Sequence, residues 1–129
     1  MTAHVSFPTI DINIATFSKF WLSEILRNAI YFQGIIFSDD LSMKGADLGG
    51  SISKKIEQAF DAGCNVILIC NDRSAAIEAL HFMEENTYVS SGNLNALKAT
   101  QSILWDDLEK DPRRDSVNNK LNNIFLNHI

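Results

Sequence analysis

Two short, almost wholly apolar runs set between amphipathic stretches constrain this chain most. They are Gly34-Ile35-Ile36-Phe37-Ser38 and Asn65-Val66-Ile67-Leu68-Ile69-Cys70. Neither alternates polar with apolar residues, as a strand with one wet face would. Strands apolar on both faces belong to parallel sheets covered by helices. The residues around them recur at helical spacing. Trp21, Leu22, Ile25, Leu26 and Ile30 mark a helix over about Ser18–Ile30, with Ser18 as its N-cap. Ile52, Ile56, Ala59 and Phe60 mark a second over about Ser53–Ala62, which Gly63 stops. Asp72 caps a third, over about Arg73–Glu85, whose inner face is Ala76, Ile77, Leu80 and Met83. The alternation predicts an α/β fold.

The flanks read less regularly. Met1-Thr2-Ala3-His4-Val5 is a short strand, and Pro8, Asp11 and Asn13 mark a loop. Beyond Asn86 a polar loop runs to Asn93, and a helix spans about Leu94–Leu108. A charged break at Lys110–Asp115 precedes a last helix, about Ser116–Leu126. This divides the chain into βα units over 1–86 and a helical extension over 87–129. With 129 residues it is long enough for one cored domain and too short for a complete (β/α)8 barrel, which needs about 250.

A net charge of -5 gives no electrostatic reason to expect nucleic acid or an anionic membrane surface as partner. No apolar run approaches the ~20 residues that cross a bilayer, and no secretory signal is visible. Cys64 and Cys70 fall at either end of one expected strand, roughly 20 Å apart at ~3.3 Å per residue and beyond disulfide reach. Two buried free thiols point to a reducing, cytoplasmic setting. No metal-ligand spacing, phosphate loop or cofactor motif is visible.

The chemistry concentrates at Asp39-Asp40, just past the Gly34-Ile35-Ile36-Phe37-Ser38 run, the edge where α/β folds collect ligands. Neighbouring side chains leave an extended chain on opposite sides, so the two carboxylates do not form a pair. One faces a site while the other caps a turn or meets a basic partner; on pattern alone, both also suit a solvated loop. His4 has both a rim position and a structural role open to it. Met43, beside a loop, suits plain packing. His81 and His128 read as solvent-facing, and Trp21 and Trp105 as core or interface.

The segment Phe32-Gln33-Gly34-Ile35-Ile36-Phe37-Ser38-Asp39-Asp40-Leu41-Ser42-Met43-Lys44-Gly45-Ala46 resembles the nucleophile segment of bacterial β-N-acetylglucosaminidases of glycoside hydrolase family 3. Met1–Val5 is similar to that family's sixth barrel strand, Leu22–Arg27 to the helix after it, and Asp61–Asn71 to its eighth strand and entry. The resemblance implies a partial (β/α)8 TIM barrel, roughly strands six to eight with their helices plus C-terminal helices. It implies Asp39 as nucleophile of a retaining hydrolysis releasing N-acetyl-β-D-glucosamine from peptidoglycan-derived muropeptides, without cofactor. His4 and Met43 are then the candidate sugar-binding residues, and Ser38 with nearby N–H groups supplies donors to Asp39.

The family's acid/base histidine and its aspartate precede the nucleophile strand and have no counterpart here. The expectation is therefore a fragment inactive alone, with open sheet edges suited to a complementary fragment or to self-association. The alternative is a non-catalytic α/β remnant or interaction module. Tyr31 departs from the pattern, which has glycine before the phenylalanine, so the helix loses its easy left-handed stop.

Overall fold

The computed structural model describes residues 1–86, 94–99 and 102–126. Its contacts divide the chain into two compact units, Met1–Leu97 and Lys98–Ile129. The expected loop over 87–93 and His128 lie outside the described residues.

The first unit is mixed α/β. Its sheet has two parallel strands, β1 (Phe37–Asp40) and β2 (Val66–Leu68), joined by α1 (Ile52–Ala62). Helix α2 (Arg73–Glu85) follows β2. Phe37 stands opposite Val66 and Asp40 opposite Leu68, so β1 spends one more residue than β2 and the ladder slips. Polar side chains make good the slip. Ser38 Oγ accepts the Leu68 N–H at 2.9 Å, and Asn65 Oδ1 accepts the Ile36 N–H at 2.8 Å.

Expected caps form where the chemistry asks for them. Asp72 accepts the Ala75 N–H and opens α2, while Gly63, at φ 122°, ends α1. Ser18 Oγ accepts the Trp21 N–H at 3.1 Å. The helix it opens, Phe20–Ala29, is wound as a π-helix and closes with an Ile30 N–H to Ile25 carbonyl bond at 2.9 Å. Tyr31 then takes φ 59°, the left-handed conformation that glycine adopts without cost. Arg27 holds this exit, donating from Nη1 to the Phe32 and Gly34 carbonyls, each at 2.7 Å, and from Nη2 to Asn65 Oδ1.

The core is two adjoining clusters. Leu22, Ile36, Ala59, Ala62 and Cys64 form one; Leu41, Ile56 and Ala79 form the other, with Phe17 and Ile67 packed against both. Trp21 packs edge-on against Phe7 and Phe20.

Several expectations need correction. Met1–Val5 forms no strand: one backbone bond, Thr2 N–H to the Phe37 carbonyl, links it to β1, and the Thr2 hydroxyl takes the next position. The inner face of α2 is Ala75 and Ala79, with Phe82 and the expected Met83 packed partly against the core, whereas Ile77 and Leu80 are exposed. Cys70 is exposed rather than buried; it sits past the end of β2. Leu94–Leu108 is not one helix. A 3-10 turn spans Leu94–Leu97, and α3 (Trp105–Glu109) begins anew with Asp106 and Asp107 in its first turn, where the helix dipole favours them. The last helix, α4 (Pro112–Leu126), starts earlier than expected. Pro112 suits a first turn, and Asp111 accepts the Arg113 N–H.

Candidate active site

The carboxyl end of β1 gathers a cluster of polar side chains. Asp39 is half-buried, and its Oδ1 accepts the N–H of Asp40 at 2.9 Å. Its own N–H donates to Thr2 Oγ1 at 3.0 Å. Ser38, by contrast, is fully buried and turned to β2, so it is not the donor to Asp39 that the sequence suggested. The β1 pleat separates neighbouring residues: Ser38 goes to the sheet interior and Asp39 to the rim.

Asp40 works on the turn. Its Oδ1 accepts from the Ser42 N–H at 2.9 Å, the Ser42 hydroxyl at 2.7 Å and the Cys70 N–H at 3.0 Å. Partial burial pushes its carboxyl up. The Cys70 N–H, the two Ser42 donors and the nearby His4 ring outweigh that and hold it below the usual carboxylate range. The two aspartates therefore have separate tasks, as adjacent positions on an extended chain require.

His4 stands at the same rim. Its Nε2 is 2.8 Å from the Asp40 carbonyl, and its Nδ1 is 3.2 Å from Thr16 Oγ1. A Cβ on Gly45 would come within 2.9 Å of the His4 Cβ, so glycine there permits the loop to close over the ring. Met43 donates its N–H to the Asp40 carbonyl and leaves its side chain exposed. His81 is exposed on α2, away from this cluster.

Residues that the sequence did not single out complete the edge. Lys55 is 4% exposed, and its Nζ reaches the Leu41 carbonyl and Asp47 Oδ1, each at 3.1 Å. Its visible signal was a lysine on the apolar face of α1, one turn from Ile52 and Ala59. Thr2 and Thr16 carried no such signal, since their role depends on segments that only folding brings together. Cys64 is buried, which pushes its thiol up to about 12, so it packs as a neutral group. Among the described residues, no three His, Cys, Asp or Glu side chains group to hold a metal ion, and no helix is long and apolar enough to cross a membrane.

The chain that carries this strand end matches a known family. The sequence pattern of the glycosyl hydrolase family 3 N-terminal domain matches residues 1–103. The chain belongs to glycosyl hydrolase family 3. A beta-hexosaminidase of Nitrosomonas eutropha is 47% identical over 104 residues, covering 80% of this chain and 30% of its own length. The beta-hexosaminidase of Haemophilus influenzae is 40% identical, covering 88% of the chain and 34% of its own length. Among solved structures, NagZ from Neisseria gonorrhoeae in complex with N-trifluoroacetyl-D-glucosamine superimposes with a TM-score of 0.57 at 35% identity, over 74% of this chain and 25% of that one. The β-N-acetylglucosaminidase of Thermotoga maritima gives 0.58 at 31% identity, over 67% and 20%. The chain thus spans about a third or less of these family 3 relatives.

Proposed function

We propose that this chain carries the nucleophile of a retaining β-N-acetylhexosaminidase and forms the carboxyl-terminal part of a (β/α)8 barrel, roughly its strands six to eight. Asp39 attacks the anomeric carbon, the leaving group departs, and a covalent glycosyl-enzyme forms; water then releases the sugar with retention. The observation that carries this reading is Asp39 itself. In a family 3 chain, it stands half-buried at the carboxyl end of a parallel strand, tied through its backbone and free of any cationic partner among the described residues. Met43 and His4 line the sugar side of the rim. The substrate is a terminal N-acetylglucosamine on a peptidoglycan-derived muropeptide, handled in the cytoplasm.

A retaining glycosidase needs its acid/base in the same cavity as its nucleophile. That group comes from the remainder of the barrel, which docks beside Met1–Val5 on one side and β2 on the other. Mixing the 129-residue chain with a separately produced remainder of a family 3 domain is expected to yield hydrolysis of a chromogenic N-acetyl-β-glucosaminide. Asp39→Asn abolishes it, and the chain alone gives none. Turnover by the isolated chain, or turnover indifferent to Asp39→Asn, overturns the reading.

One observation favours a second reading, a non-catalytic module that self-associates. A groove of about 470 Å³ beside β2 is lined by apolar side chains including Ile67, Ile69, Leu80 and Met83. A discrete oligomer that excludes the barrel remainder would support that reading over the first.

A further inference from the structure

Behind Asp39 lies a closed set of polar contacts whose hydrogen count does not balance in every state. Asp39 N–H donates to Thr2 Oγ1 at 3.0 Å, and Thr2 Oγ1 lies 2.9 Å from Thr16 Oγ1. Thr16 Oγ1 is in turn 3.0 Å from the Ala3 carbonyl and 3.2 Å from His4 Nδ1. His4 Nε2 is 2.8 Å from the Asp40 carbonyl. A carbonyl only accepts, so Nε2 carries a proton whatever the charge of the ring.

The count then turns on Nδ1. The Thr2 hydroxyl, already accepting from Asp39, gives its proton to Thr16. In a neutral ring Nδ1 is a lone pair, and the single Thr16 proton must serve either it or the Ala3 carbonyl. One acceptor goes without. In a doubly protonated ring, Nδ1–H donates to the Thr16 oxygen, the Thr16 proton goes to Ala3, and every partner is satisfied. Thr16 is 0% exposed, so its hydroxyl changes partners out of solvent, while the two acceptors it serves, on Ala3 and His4, are half-buried.

We propose that His4 is a positioning residue: its protonation decides where the Thr16 hydroxyl proton goes and whether Thr16 Oγ1 takes one donor or two, and so adjusts how firmly the Thr2 hydroxyl holds the backbone of Asp39. The proposal rests on Asp39 being the nucleophile and adds a pH-sensitive setting to that site. Several charged groups surround the ring. Its own segment carries the Met1 amino group. Ala15–Phe17 brings none, and the end of β1 brings Asp39 and Asp40. The Lys44–Gly49 turn brings Lys44 and Asp47, the latter paired with Lys55. The ionised Asp40 carboxylate is the one that gains from a charged His4.

Heteronuclear NMR of the full chain tests the coupling across about pH 5 to 8, where histidine titrates. The Asp39 amide resonance is expected to shift in step with the His4 ring signals. Thr16→Val keeps the β-branched shape without the hydroxyl, and is expected to lose the Asp39 response while His4 still titrates. Thr16→Ser restores the hydroxyl and the response. If the valine variant unfolds, Thr2→Val removes the other, less buried hydroxyl and is expected to give the same loss. An Asp39 amide that ignores the His4 titration, or follows it unchanged after the hydroxyl is removed, overturns the proposal. Neither result bears on Asp39 as nucleophile, which the turnover assay decides.

Discussion

The carboxyl end of β1 and the groove beside β2 lie in the same unit, yet they are finished to different degrees. At the strand end, one Asp40 carboxylate oxygen accepts three donors and its carbonyl accepts two more. At the groove, Leu80 is 62% exposed and Leu94 47%, over a sheet that has two strands among the described residues. Polar order here is local, made by side chains that loops and caps bring together. Apolar burial is not, because covering both faces and both edges of a parallel sheet takes more chain than this unit has. A strand end can therefore be well ordered while the apolar surfaces beside it stay uncovered.

The sharpest way to break that contrast is to truncate a leucine in each region. Leu41 is 0% exposed, and Leu41→Ala is expected to cost about 3 kcal/mol in urea unfolding, the usual loss for a buried leucine that leaves a cavity. Leu80→Ala is expected to stay within about 0.5 kcal/mol, as exposed substitutions do. Equal losses at the two positions would mean that the groove is covered in solution.

Next in size is Lys55. Lys55→Met fills the same space but leaves the buried Leu41 carbonyl without its donor, at an expected cost of about 2 kcal/mol. Lys55→Arg should recover most of this, and Asp47→Asn should do little, since Asp47 is 66% exposed. A harmless Lys55→Met would show the strand end to be less dependent on its polar contacts than the contrast requires.

The contrast also explains what the sequence disclosed. The apolar runs, the caps at Ser18 and Asp72 and the stop at Gly63 depend on neighbours within a few residues, and they were legible. So was the position of Asp39 and Asp40 at a strand end. Elements that need distant partners were not. The Met1–Val5 strand reads well as a pattern, but a ladder needs repeated backbone bonds and only one forms beside β1. The inner face of α2 was misjudged because helix spacing alone cannot tell whether a large or a small residue meets α1. Ser38 and Thr16 look like ordinary small polar residues until Leu68 and His4 are brought against them.

A smaller effect tests the local side of the comparison. Tyr31 is 78% exposed and holds φ 59°, so its side chain contributes little packing while its backbone is strained. Tyr31→Gly is expected to raise stability by about 1 kcal/mol, the left-handed penalty less the extra freedom that glycine has when unfolded. A loss of stability would mean that the exposed ring has a partner in solution.

The smallest effect concerns pH. The Asp40 carboxyl sits below its ordinary value of 3.8 in the folded chain, because the Cys70 and Ser42 donors favour the ionised form against the opposing cost of burial. A depressed folded value means the unfolded chain binds the proton first as pH falls. The contribution is therefore complete above the ordinary value and disappears as pH drops through the folded one. Asp40→Asn keeps an oxygen for the Cys70 and Ser42 donors but does not titrate. Urea midpoints taken downward from about pH 6 should thus fall more steeply in the parent than in the variant below pH 4, the region of the ordinary carboxylate value. Parallel curves would mean that the Cys70 N–H does not reach Asp40 in solution, and the link from β1 to the exit of β2 would then rest on the backbone ladder, the Ser38–Leu68 bond and the Ser42 contact with the Cys70 carbonyl.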